Sequence, residues 1–176
     1  LTEFKITNEK ISVIPGALFD HYKELRESKS ITKIGKTNSS DRKQNILFFG
    51  NITYYKGLDV LIRAYARLPK KWIKKTRLLI CGNPQMPINP IKELAKTLEI
   101  DEQIRWDLRY IPEEEVHGIF MSADIMVLPH RHIDRSGVLS IAIKYRNPIV
   151  ASRIGGFAEI LKDGKHGYLV ESEDPS

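Results

Sequence analysis

Two loops hold the residues best suited to chemistry. The first, Gly50-Asn51-Ile52-Thr53-Tyr54-Tyr55-Lys56-Gly57, sets a lysine in a glycine-bounded turn just ahead of a helical pattern. An ammonium there supplies charge where the amides of a helix start are unpaired, which suits a phosphate; a solvated loop lysine is the plainer alternative. The loop lacks the Gly-Lys-Ser/Thr of a Walker A motif and the Gly-x-Gly-x-x-Gly of a dinucleotide fingerprint. The second loop runs Pro129-His130-Arg131-His132-Ile133-Asp134-Arg135-Ser136-Gly137-Val138-Leu139. Ser136 can cap a following helix, and Gly137 would let a ligand approach the backbone closely. A diphosphate would find free amides and the positive helix end there, with Arg131 and Arg135 adding charge, although an ordinary capped helix start accounts for the same residues.

Other chemistries fit less well. His130-x-His132 could be a metal pair, but no carboxylate or cysteine cluster at ligand spacing accompanies it, so neither a metal site nor a cofactor is expected. Ser136 precedes its glycine without the Gly-x-Ser-x-Gly elbow of a Ser/His/Asp hydrolase. The one cysteine, Cys81, rules out an internal disulfide and sits among apolar neighbours, as a buried structural thiol would.

The elements that must position these loops follow a regular pattern from residue 45 onward. Short apolar runs at 45–49, 77–81, 104–109, 124–128, 148–152 and 167–170 predict six strands. Helical spacing predicts helices over 57–68 and 91–98, after Pro112 with its three glutamates, from Ser136, and a short one from Gly155-Gly156. Strands alternating with helices predict an α/β fold, a doubly wound, mostly parallel six-stranded Rossmann-like sheet with helices on both faces. In such a sheet ligands bind beyond the carboxyl ends of the strands, so the loops after Gly50, Gly82, Arg109, Leu128 and Ser152 are those to inspect. Residues 10–15 read as one more strand. Residues 1–44 are expected to be an interdomain crossover segment and polar loop, and 45–176 the ligand-binding domain. Leu1-Thr2-Glu3-Phe4 reads like the middle of a longer polypeptide.

The net charge is +6 and the pI about 9.3. Much of the excess lies in Lys70-Lys71-Trp72-Ile73-Lys74-Lys75, between a helix and a strand, and in residues 23–43. Solvated faces explain both; small-ligand phosphates or an anionic membrane surface would also suit them. Nucleic acid is not expected as a partner, because no aromatic-basic interleaving or known binding motif appears. No apolar run approaches the roughly 18 residues of a membrane span.

Taken together the loops resemble a known family. The strings Phe48-Phe49-Gly50 … Tyr55-Lys56-Gly57-Leu58-Asp59, Leu78-Leu79-Ile80-Cys81-Gly82 and Arg109-Tyr110-Ile111-Pro112 … Glu115-Val116 come first. Ala123-Asp124-Ile125-Met126-Val127-Leu128-Pro129, Ser136-Gly137-Val138-Leu139 … Pro148-Ile149-Val150-Ala151 and Gly155-Gly156-Phe157-Ala158-Glu159 complete the set. In this order and spacing they are similar to glycosyltransferase family 4, retaining enzymes of the two-Rossmann-domain GT-B fold. The resemblance covers nearly all of residues 10–172, including Val13-Ile14-Pro15 and Phe19-Asp20 at the crossover.

The resemblance implies a C-terminal half that binds a nucleotide-diphosphate sugar, UDP- or GDP-linked, with the acceptor held by an N-terminal domain of the same protein. Lys56 then matches the lysine on the donor diphosphate, and Gly137, Val138 and Leu139 match the helix start whose amides hold the phosphates. Tyr110 and Ile111 match contacts to the nucleobase. Asp134 stands where many members carry the first glutamate of a Glu-x7-Glu motif, a contact to the donor sugar. Three positions depart from the pattern: Asn51 replaces the arginine after the first glycine, Ala142 the second glutamate, and Gly16 the histidine after the crossover Ile-Pro. The implied reaction is transfer of a sugar to an acceptor hydroxyl with its anomeric configuration kept, the isolated domain being inactive. A cytoplasmic place, with peripheral contact to the inner face of a membrane, and a role in polysaccharide assembly are the family-level expectations. A donor-binding scaffold without turnover and a GT-B nucleotide-sugar epimerase are the alternatives.

Overall fold

The computed structural model describes residues 42–133 and 136–175. The strand expected at 10–15, most of the 1–44 segment, Asp134 and Arg135 lie outside the described residues. The chain folds into one parallel sheet of β1 (Gln44–Phe49), β2 (Thr76–Cys81), β3 (Ile104–Asp107), β4 (Ile125–Leu128), β5 (Ile149–Ser152) and β6 (Tyr168–Val170), in the order β3-β2-β1-β4-β5-β6. The helices are α1 (Leu58–Arg67), α2 (Lys70–Lys75), α3 (Asn89–Thr97), α4 (Glu113–Ser122), α5 (Gly137–Lys144) and α6 (Gly155–Ile160). The doubly wound α/β expectation holds.

The strands read as unbroken apolar runs because both faces are covered, as parallel sheets require. Side chains alternate faces along a strand, so Leu47, Leu79 and Cys81 join one core with Phe120, Leu139, Ala142 and Phe157, on the side of α4, α5 and α6. Ile46, Phe48, Leu78 and Ile80 join a second core with Leu61, Ile62, Tyr65 and Ile91, beneath α1 and α3. Each fully buried side chain of this kind contributes roughly 1.5–3 kcal/mol. Cys81 is buried and free, as expected, and burial pushes its thiol up to about 12.

The expected boundaries shift by small amounts. β3 stops at Asp107, two residues short of the expected end. Its neighbour β2 ends at Cys81, the register partner of Asp107, and the Gly82 amide donates to the Asp107 carbonyl at 2.9 Å. Beyond that point Arg109 turns to pair with Asp107 and Glu115, tying the loop to α4. The run Lys70–Lys75, read as a link between helix and strand, forms the helix α2.

Candidate functional site

The strand order reverses between β1 and β4, and ligands of such sheets bind beyond the carboxyl ends of the strands near that reversal. On the β1 side of that reversal lies a cleft of about 230 Å³, lined by Phe49, Gly50 and Asn51 after β1, Gly82 and Asn83 after β2, and Tyr110, Ile111, Glu113 and Val116 after β3. The first two loops are stitched together: the Gly50 amide donates to Cys81 O, Ile52 N to Asn83 O, and Gln85 N to Ile52 O.

Lys56 ends a single helical turn, Tyr54–Lys56, that folds the β1 loop back over its own start. Gly57 follows with a φ of 67°, and a side chain on it would overlap the Pro129 carbonyl oxygen, so glycine lets this turn sit directly on the loop after β4. Gly50, at φ 101°, does the matching service. A Cβ there would lie 2.7 Å from Lys56 Nζ and 3.3 Å from Val138 Cγ2. The bare backbone of Gly50 therefore packs against both the ammonium and the first turn of α5. Lys56 is only 7% exposed, and burial lowers its pKa from the ordinary lysine value. Among the described residues no carboxylate pairs with it. A buried cation in this state is costly by itself and favours the arrival of an anion.

The start of α5 carries the expected cap and lies across Gly50 from Lys56. Ser136 Oγ accepts from the Leu139 amide at 3.2 Å, while the Leu139 side chain lies in the core. Leu139 thus has its amide already engaged, and Gly137 and Val138 supply the amides that have no backbone partner among the described residues. Gly50, Asn51, Tyr110 and Ile111 all line the cleft, Asn51 and Tyr110 exposed and Ile111 buried. The structure also brings in Gly82, Asn83 and Glu113, which the sequence pointed to only as the loop after β2 and the opening of a helix. Of the described lining residues Glu113 is the sole carboxylate and none is a histidine.

Arg131, expected to add phosphate charge, is placed otherwise. Its guanidinium donates to both Asp59 oxygens (3.0 and 2.7 Å) and to the Tyr54 carbonyl, pairs with Glu173, and stacks 4.1 Å over the Tyr54 ring. That charge is spent on holding the β4 loop to α1. Ala142 is fully buried in the core, so a glutamate at this position would meet hydrocarbon rather than ligand. His130, 2% exposed, packs edge-on against Tyr55 and Phe157 with both ring nitrogens unpaired, and no described cluster of three metal-ligating side chains includes it. Burial first, and then the nearby Lys56 charge, lower its pKa to about 4.

Comparison with known proteins agrees with this architecture. Residues 30–176 match the family model for glycosyl transferases group 1. A D-inositol 3-phosphate glycosyltransferase of Corynebacterium efficiens is 33% identical over 135 residues, which is 74% of this chain and 32% of the relative. The chain spans about a third of the length of such curated relatives. The C-terminal domain of LpcC, a glycosyl transferase group 1 family protein from Francisella tularensis, superposes with a TM-score of 0.62 at 26% identity, covering 76% of this chain and 70% of that one. Anabaena HepE, solved in complex with UDP-glucose, shares the fold with a TM-score of 0.67 at 16% identity over 76% of this chain and 36% of its own. The chain belongs to the glycosyl transferases group 1 family.

Proposed function

We propose that this chain is the donor-binding half of a retaining, family 4 glycosyltransferase, residues 1–44 serving as the crossover segment and 45–176 as the nucleotide-sugar domain. The observation that carries the reading is Lys56: a buried ammonium without a carboxylate partner among the described residues, pressed on Gly50 beside the first turn of α5, at the edge of the cleft. A nucleotide diphosphate laid along Gly50 would place its phosphates between that ammonium and the Gly137 and Val138 amides. Its base would lie toward Tyr110 and Ile111, with Asp134 left to the donor sugar. Anabaena HepE, of the same fold, carries UDP-glucose, which favours a nucleotide sugar as the ligand.

The chemistry follows from charge. Breaking the bond from sugar to diphosphate leaves oxocarbenium character on the sugar and negative charge on the departing phosphate. A fixed cation and helix amides aimed at that charge stabilise it in the transition state, and one such donor is worth about 3–4 kcal/mol. Arg135 is the second candidate cation, since Arg131 is held by Asp59. The acceptor-binding domain would belong to the rest of the protein, and contact with an anionic membrane at the cytoplasmic face forms part of the same proposal. Among the described residues no helix is long and apolar enough to cross a membrane.

The test is transfer by the full-length protein from UDP- and GDP-linked sugars, with the product anomer read by proton NMR. The reading predicts a product with the donor's anomeric configuration. Inversion would exclude the retaining reaction, donor interconversion without acceptor would identify an epimerase, and binding without turnover a scaffold.

A further inference from the structure

A second charged surface lies at the end of the sheet opposite the cleft. α1 runs from the carboxyl end of β1 back to the amino end of β2, so its last turn and all of α2 sit where β2 begins. Over the eleven residues 67–77 this edge carries Arg67, Lys70, Lys71, Lys74, Lys75 and Arg77, with no acid among them. All six are exposed, and none enters a described ion pair. Glu99, Asp101 and Glu102, between α3 and β3, are exposed acids at the same end and lie at the start of the sheet's edge strand.

In the middle of these cations stands Trp72, 46% exposed, with Lys71 Nζ 5.7 Å from its ring centroid. The helix beneath it is anchored from inside. Ile73 packs on the core, the Tyr65 hydroxyl donates to Thr76 Oγ1 at 3.0 Å, and that hydroxyl donates to the Trp72 carbonyl at 2.9 Å. The sequence places a large apolar ring outward where a lysine would keep the face soluble, and rigidly fixes its backbone. Indole rings settle at the headgroup level of a bilayer, and basic side chains beside anionic lipid contribute about 1 kcal/mol each, roughly a fivefold change in affinity. A groove with stacked aromatics, as single-stranded nucleic acid needs, is not formed by one indole on a convex helix.

We propose that Trp72 and the lysines of α2 dock this edge of the domain on the headgroup region of an anionic lipid bilayer, leaving the donor cleft at the far end of the sheet open to solvent. This rests on and localises the membrane contact proposed above, but it uses no residue of the donor site, so failure of the docking surface and failure of the donor reading are told apart.

The test is co-sedimentation of the chain with vesicles of equal parts phosphatidylglycerol and phosphatidylcholine, and with phosphatidylcholine alone. Binding is expected to the first and not the second, and to weaken in about 0.5 M salt. Replacing Lys70, Lys71, Lys74 and Lys75 by glutamine should cost at least about fiftyfold in affinity, four fivefold steps with allowance for screening. The same charge change at Lys92, Lys96, Lys162 and Lys165 should leave affinity within about threefold, and circular dichroism checks that both variants fold. Vesicles should shift tryptophan emission to the blue in the wild type and not in Trp72→Ala. Equal losses from the two sets, no emission change, or tighter binding to single-stranded RNA through the same lysines would overturn the proposal.

Discussion

Lys56 and His130 share an environment that ordinarily repels them both. Each is nearly inaccessible, each lacks a carboxylate partner among the described residues, and each is held closer to neutrality by burial. For Lys56 the proposed phosphate would resolve that state; for His130 it stores a dependence on pH. The folded-state value of about 4 lies below the roughly 6.5 of a free imidazole, so the unfolded chain takes up a proton first as the pH falls. The contribution is fully present above about pH 6.5 and is lost as the pH falls toward about 4. Urea unfolding at pH 7 and pH 4.5 should show His130→Leu losing about 2–3 kcal/mol less than wild type between those conditions, and parallel losses would mean the imidazole is not buried neutral. None of this was legible in the string His130-x-His132, because Tyr55 and Phe157, which enclose the ring, are brought in from the β1 loop and from α6. Lys56 was legible as a phosphate candidate from its glycines, but its contact with Val138 depends on β1 and β4 being neighbours.

At the scale of elements, most of the fold could be read because burial on both faces writes each parallel strand as an apolar run. The end of β3 could not, since it depends on where β2 stops. Nor could α2: Lys-Lys-Trp-Ile-Lys-Lys has no apolar stripe, and its helix is fixed by Thr76 and Tyr65, not by its own pattern. The helix start at Gly137 was foreseen because Ser136 announces a cap. The pairing of Arg131 with Asp59 joins distant positions and is invisible in sequence, yet it pins the β4 loop, and with it the entry to α5, against α1. Arg131→Gln removes both bonds to Asp59 together with those to the Tyr54 carbonyl and Glu173, and leaves Asp59 unpaired, for an expected loss of about 2 kcal/mol in stability. Amide exchange should speed up over residues 130–138 before it does in the strands, and an unchanged pattern there would show that the tie does not hold the loop.

For the whole molecule, two cores clamp one sheet, and both the ligand loops and the charged helix are carried on its opposite ends. The cleft gathers three consecutive βα loops, while the first turn of α5 and Lys56 add the charge at its edge. On the proposed reading this arrangement holds a donor and no second substrate, so residues 1–176 alone should bind nucleotide and transfer no sugar, and the full-length protein should do both. Transfer by the short chain would mean that the acceptor is held here as well. The central claim is that Lys56 forms the phosphate site, and calorimetric titration with UDP, GDP and ADP, repeated with Lys56→Ala, tests it most directly. The account predicts that one of the nucleotides binds and that the variant binds it at least about tenfold more weakly, on the order of 1.4 kcal/mol. Equal binding by Lys56→Ala would place the phosphate site elsewhere and contradict the account.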